Sequence, residues 1–377
     1  MTQGSAPKAA PAAAGALRPL EAMGLAEIEA LRLILRGGSV VDWRRLNFER
    51  LEEVDAFLRL NLYDLEEARD ERRVRSILAQ AVEYLRTAFG YRVAQPVAQP
   101  EDLRHLFLLA SGTLEPRKYR RIACVVLKVM HVIHHLEARE LLFRTPIREA
   151  DLAERVHRRI MAEAERMQAL GLPVVEFRGN VKTRESLVTK LLAKRESVAA
   201  QVFDRVRYRV VTEAPAQIPS VVLHLTQHLF PFNYSVPGQV VNSLYRFSDL
   251  LQAHPRGPEL AADLQLPLNL EGEEPAVPRN EFSGRGYRIL NFVADVPVRI
   301  DELLPPLDPM ADELGSVVFA LVEFQVVDAA TARENELGES SHERYKRRQL
   351  KQVLRRLSRG LVVPKRKRRR PKAPAPG

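Results

Sequence analysis

The apolar period changes near residue 170, and that change limits the folds open to this chain. Before it the spacing is helical. Leu25, Ile28, Leu31, Leu33 and Leu35 open the pattern. Val54, Phe57, Leu58, Leu62 and Leu65 continue it, followed by Val74, Ile77, Leu78, Val82 and Leu85. Gly37-Gly38 and Gly90 are placed to end helices. Pro96 to Pro100 reads as a linker, and two more helices are expected over 117–143 and 148–170. After Gly171 strands begin to alternate with helices. Leu172 to Phe177 is a short strand candidate, and Thr183 to Lys194 is helical. Val206 to Val211 alternates Val, Arg and Tyr in the manner of a strand, and Ile218 to Leu229 is helical. Tyr287 to Val298 and Val317 to Val327 are further strands, and Ser340 to Ser358 is a closing helix. Residues 232–284, rich in Pro, Gly and acidic side chains, read as an insertion or long loop. The expected class is α+β. An all-helical module (19–170) precedes a mixed-sheet domain flanked by helices (171–360), with a disordered leader (1–18) and a disordered basic tail (361–377).

Composition narrows the function classes. With 377 residues, 46% of them hydrophobic, the chain can bury two cores. It has no apolar run of roughly 18 residues, the length that spans a bilayer. Its best candidate, Ile122 to Ile133, carries Lys128, so no membrane association is expected. The Ala/Pro-rich start lacks the continuous apolar core of a signal peptide. Cys124 is the sole cysteine, which excludes intrachain disulfides and suits a reducing cytoplasm. The net charge of +10 is concentrated at the end, from Arg347, Arg348, Lys351, Arg355, Arg356 and Arg359 through Lys365–Arg370 and Lys372. Such an arm attracts polyanions through counterion release and equally serves as a solubilising tail.

Three segments carry candidate chemistry. Lys182, Ser186 and Lys190 recur every four residues, which puts them on one face near a helix start. Free N–H groups and the positive dipole end there suit a polyphosphate, while an ordinary solvated helix has the same spacing. Asp204 precedes one strand and Glu323 interrupts another. A carboxylate on a central strand is costly unless paired or bound to a metal. If the two strands are antiparallel neighbours, Asp204 and Glu323 meet at one end of the sheet and suit Mg²⁺. The alternative is an ion pair from Glu323 to an arginine such as Arg209. Gly284 and Gly286 place Tyr287 at a strand start, where it stacks on a base or is a plain strand residue. His131 and His135 have metal-ligand spacing. Their apolar neighbours favour a packed helix with surface or capped histidines.

In order, these elements resemble the RelA/SpoT alarmone synthetases of the nucleotidyltransferase superfamily. The family's Lys-x-x-x-Ser helix reads Lys182 to Ser186 here, with Lys190 in place, and its Asp-x-x-x-x-Arg reads Asp204 and Arg209. The Gly-Tyr pair is Gly286-Tyr287, and Val-Glu-x-Gln is Val322, Glu323 and Gln325. The last motif is matched by Glu336, Gly338, His342, Tyr345 and Lys346. The resemblance implies a Mg²⁺-dependent transfer of pyrophosphate from ATP to the 3′-hydroxyl of GDP or GTP. It implies Asp204 and Glu323 as catalytic metal ligands, and Lys182, Ser186, Lys190 and Arg209 on the ATP phosphates. Tyr287, Asn291, Gln325 and His342 would lie around the acceptor guanine. Three positions depart from the pattern: Asn180 stands for an arginine, Asn291 for a histidine and Val327 for an arginine. The departures and the basic arm keep two alternatives open, transfer to an RNA 3′ end and a nucleotide sensor without turnover. Expected partners are ATP and GDP or GTP, with RNA at the basic tail and further copies of the chain. The hydrolase domain of many family members carries a His-Asp metal motif. No His-Asp doublet occurs here, so the helical module reads as regulatory or structural.

Overall fold

The computed structural model describes residues 17–193, 205–266, 287–304, 313–337 and 342–358. The chain forms two compact units. The first contains most of residues 1–334, and the second is built from 182–202, 279–287 and 335–377.

The first unit begins with helices. They are α1 (Leu25–Arg36), α2 (Leu51–Leu60), α3 (Ala68–Phe89), α4 (Gln95–Ala98), α5 (Arg104–Ser111), α6 (Arg120–Arg144) and α7 (Glu149–Ala169). Gly37 and Gly90 end α1 and α3 with φ of 64° and 67°, where a side chain would be strained. The Pro96–Pro100 stretch read as a linker contains the single turn of α4, with proline in its first turn where the missing N–H costs nothing.

Strand β1 (Val174–Val181) runs past the expected end at Phe177 and leads into α8 (Arg184–Ala193). β2 (Val206–Thr212) and α9 (Ile218–His228) follow. Next comes β3 (Ser235–Asn242), with α10 (Phe247–Ala253) and α11 (Gly257–Asp263). β3 falls inside the stretch read as an insertion or long loop, yet it forms an edge of the sheet. Pro237 and Gly238, the latter at φ 70°, sit within it beside a register shift. That composition reads as a turn, and edge strands tolerate it. β4 (Leu290–Arg299), β5 (Val317–Asp328), α12 (Ala329–Leu337) and α13 (His342–Leu357) complete the chain.

The sheet order is β1-β2-β5-β4-β3. Only the β2–β5 pair is parallel, with Val206 opposite Val322 and Arg207 opposite Glu323. The antiparallel pairing considered for these strands is therefore corrected. β3 and β4 come between β2 and β5 in the chain, and the local apolar spacing of either strand does not fix its direction relative to the other.

One face of the sheet is apolar. Tyr208, Phe324 and Phe292 share a rung across β2, β5 and β4, with Phe324 stacked on both neighbours at centroid distances of 6.0 and 5.4 Å. Ile28 and Leu31 of α1, Val156 and Ile160 of α7, and Val222 and Leu225 of α9 pack into the same core. Gly179 on β1 faces Tyr208, and a Cβ there would lie 2.7 Å from the Tyr208 ring and 2.9 Å from His157. Gly179 sits within the strand, where only a residue without a side chain leaves room for the tyrosine ring. The opposite face is covered at one end by α6, whose His135 stacks on Phe319 at 4.0 Å and 6°. Beyond Phe319 that face turns polar.

In the second unit α8 packs along α13, with Ala193 and Val353 forming the buried contact and Arg356 donating to the Leu192 carbonyl. Among the described residues no helix is long and apolar enough to cross a membrane.

Candidate active site

The polar face of the first unit centres on Glu323, which is only 5% exposed although it lies mid-sheet. The side-chain alternation of β5 puts Glu323 and Gln325 on the Phe319 face, opposite Phe324. Asn291 stands across from Gln325 on β4. Both amides turn toward the carboxylate. Asn291 Nδ2 donates to Glu323 Oε1 at 2.7 Å, and Gln325 Nε2 donates to the same oxygen at 2.9 Å. Two amides, rather than the arginine considered as an alternative, hold this oxygen.

The other carboxylate oxygen is different. Glu323 Oε2 is buried and has no hydrogen-bond partner among the described residues. A buried acceptor left unmade costs roughly 1–3 kcal/mol, more when charged, so such a group calls for an explanation. An oxygen aimed at a hard cation supplies one, because Mg²⁺ takes oxygen ligands and is commonly bound through one or two carboxylates plus substrate phosphates.

Basic residues occupy the neighbouring strand positions. Arg207 and Arg209 on β2 are in register with Glu323 and Gln325, and both are partly exposed. On β1, Arg178 faces Arg209 and Asn180 faces Arg207. These rungs thus run Arg178–Arg209–Gln325–Asn291 and Asn180–Arg207–Glu323, arginines beside a buried carboxylate and its amides. Val327, standing for an arginine, is instead buried with Val211 and Ala332 in a small apolar cluster.

In the second unit Lys182 precedes the helix instead of lying on it. Helix α8 starts at Arg184, so Lys182 belongs to the short link after β1. Thr183 opens the helix. Its Oγ1 accepts from the Ser186 N–H at 3.4 Å, a long N-terminal cap. Ser186 is exposed and Lys190 lies one turn further along α8. Tyr287 is partly buried and precedes β4, three residues short of its first residue. His342 is the first residue of α13. Asp204, Gly284, Gly286 and Gly338 lie outside the described residues.

The histidines of α6 are interior groups. His131 and His134 are 9% and 7% exposed, so these two are buried rather than at the surface, while His135 is partly exposed. Tyr63 Oη and His134 Nε2 are 2.9 Å apart, His131 Nδ1 lies 3.1 Å from Asn233 Nδ2, and His135 Nδ1 lies 3.1 Å from the His131 carbonyl. Burial drives the imidazoles of His131 and His134 well below the usual histidine range, with repulsion from neighbouring histidines adding to it. A cavity of about 90 Å³ beside them is lined by Trp43, Phe57, Phe107 and Tyr234.

A second cluster escaped the sequence reading altogether. Glu163 on α7 meets His224 and His228 on α9, with their ligand-capable atoms all within 4.8 Å.

The chain is similar to small alarmone synthetases. The small alarmone synthetase 2 from Bacillus subtilis shares 17% identity over 52% of this chain and 80% of that one, with a TM-score of 0.31. The small alarmone synthetase 1 from Bacillus subtilis, bound to its product pppGpp, shares 15% over 54% and 84%, with a TM-score of 0.29. A GTP pyrophosphokinase family protein from Streptococcus pneumoniae shares 15% over 55% and 87%, with a TM-score of 0.27. No protein-family model matches the chain, and no curated protein matches it.

Proposed function

We propose that the chain is a divergent alarmone-synthetase-type pyrophosphokinase, transferring pyrophosphate from ATP to the 3′-hydroxyl of a guanine nucleotide. The observation that carries this reading is the Glu323 carboxylate. It is buried on a central strand, fixed through Oε1 by two amides and open at Oε2, at the position of the resemblance's Val-Glu-x-Gln motif.

Glu323 and Asp204 would hold Mg²⁺, which when bound supplies positive charge to the transferring phosphates. Glu323 is also placed by the resemblance to help the acceptor hydroxyl lose its proton. The resemblance assigns Lys182, Ser186, Lys190 and Arg209 to the ATP phosphates. Tyr287 would stack on the guanine, with His342 beside it. Asn291 and Gln325, assigned to the acceptor by the resemblance, spend amide N–H groups on Glu323. Their proposed role therefore includes orienting the carboxylate, which fixes the angle at which Oε2 meets its ligand. Such transfer depends on alignment and charge neutralisation, so Asn180 in place of an arginine lowers the rate. With a single cysteine, the enzyme would work in the cytoplasm.

A second reading is transfer to an RNA 3′ end. It is favoured by the basic exposed positions Arg347, Lys351 and Arg355 on α13. A nucleotide sensor without turnover is the third. Purified protein incubated with γ-labelled ATP, Mg²⁺ and GDP, GTP or bulk tRNA separates them. A labelled guanosine product supports the main reading, and labelled RNA supports the second. ATP binding without transfer to any acceptor leaves the sensor.

A further inference from the structure

We infer that Glu163, His224 and His228 form a binding site for a transition-metal dication of the Zn²⁺ type, within the first unit and separate from the Glu323 region. His224 and His228 are four residues apart on α9, the spacing that puts two imidazoles on one helical face. Their rings are 4.2 Å apart between centroids. Glu163 enters from α7, and its Oε1 lies 2.6 Å from His224 Nε2. Tetrahedral Zn²⁺ with bonds near 2.0–2.1 Å needs ligand atoms roughly 3.4 Å apart. The observed separations, from 2.6 Å up to 4.8 Å, bracket that value, so small side-chain rotations suffice.

The donor set suits this ion class. Two imidazoles and one carboxylate are borderline ligands that favour Zn²⁺ over Mg²⁺ or Ca²⁺, which prefer oxygen alone. The outer shell is in place as well. Arg166 Nε donates to Glu163 Oε2 at 2.8 Å and can stay there while Oε1 turns to the metal. The second bond, from Arg166 Nη2 to Oε1 at 2.9 Å, is the one given up. Arg166 is about half exposed, so it moves without opening the core. The hydrogen now between His224 Nε2 and Glu163 is also released from that nitrogen, and His224 binds as a neutral imidazole protonated on Nδ1. Exposed His228 leaves the remaining position to water. A metal here would tie α7 to α9, two helices that line the apolar face of the sheet.

The test uses the full chain stripped of metal by a chelator. Zn²⁺ is titrated against a chromophoric competitor, Co²⁺ is added separately to read tetrahedral visible absorption, and Tm is measured with and without Zn²⁺. The expected result is one equivalent of bound Zn²⁺, a tetrahedral Co²⁺ spectrum and a Zn²⁺-dependent rise in Tm. Both His228→Ala and Glu163→Gln weaken binding by roughly 100-fold or more, as for the loss of one ligand in three. His228→Ala removes an exposed side chain, so it keeps its fold and its metal-free Tm. His135→Gln, in the α6 cluster, leaves binding unchanged. Equal Zn²⁺ affinity in wild type and His228→Ala overturns the site, as does the absence of any Zn²⁺-dependent change in wild type. Pyrophosphate transfer enters none of these readouts, so the site stands or falls separately from the proposed function.

Discussion

Glu323 carries a structural cost that its proposed chemical role would offset. A carboxylate buried mid-sheet is unfavourable unless its oxygens are engaged. Asn291 and Gln325 satisfy one oxygen, and the other remains open among the described residues. Substituting Asn291 with Leu removes a donor while keeping the same branched heavy-atom shape. It should destabilise the protein by about 1–3 kcal/mol in urea unfolding and also slow transfer, because the carboxylate loses an orienting bond. A stability loss without a rate loss would make Asn291 purely structural. At this scale the sequence was informative about Glu323 and Gln325, because a charged residue inside an apolar alternation stands out. It was silent about their bonding to Asn291, which depends on the register between β4 and β5. It was silent too about Glu163 with His224 and His228, since the carboxylate comes from a helix far earlier in the chain.

Elements were legible where their period was long and clean. The helices before residue 170 and strands β2, β4 and β5 follow the apolar spacing closely. β3 was hidden by Pro237 and Gly238, and the parallel β2–β5 pairing by the fact that register leaves no local mark. Nor did spacing show how α3 is fastened to the end of β4. Arg299 donates from Nη1 and Nη2 to both oxygens of Asp70 at 2.8 Å, and from Nε to Asp301 at 2.6 Å. The side chain of Asp70 is only 4% exposed, so removing its partner strands a buried charge. Arg299→Ala should therefore cost about 3 kcal/mol, the low end for buried pairs because Arg299 is partly solvated. Unfolding of the purified variant measures it, and a loss near zero would show that solvent already screens the pair.

At the scale of the whole molecule, the buried α6 histidines link stability to pH. His131 and His134 bind protons far less readily in the folded chain than in the unfolded one. Above about pH 6.5 both states hold them neutral, and the difference costs nothing. As pH falls below that value the unfolded chain takes up protons that the folded chain does not, so stability declines. Each such histidine contributes up to about 1.4 kcal/mol per pH unit in that window. Chemical denaturation from pH 7 down to 5 should show the fall, and His134→Gln should flatten it. An unchanged slope in that variant would place the protons elsewhere.

The most direct test of the functional account is the single-turnover rate of pyrophosphate transfer from ATP to GDP or GTP, in wild type and in Glu323→Gln. Glutamine keeps the size and removes the charge. The account expects the variant to bind ATP and unfold like wild type while its rate falls by roughly 10²-fold or more, as when a group stabilising developing charge is lost. Undiminished transfer in Glu323→Gln would contradict it, because the buried carboxylate would then have no part in the chemistry.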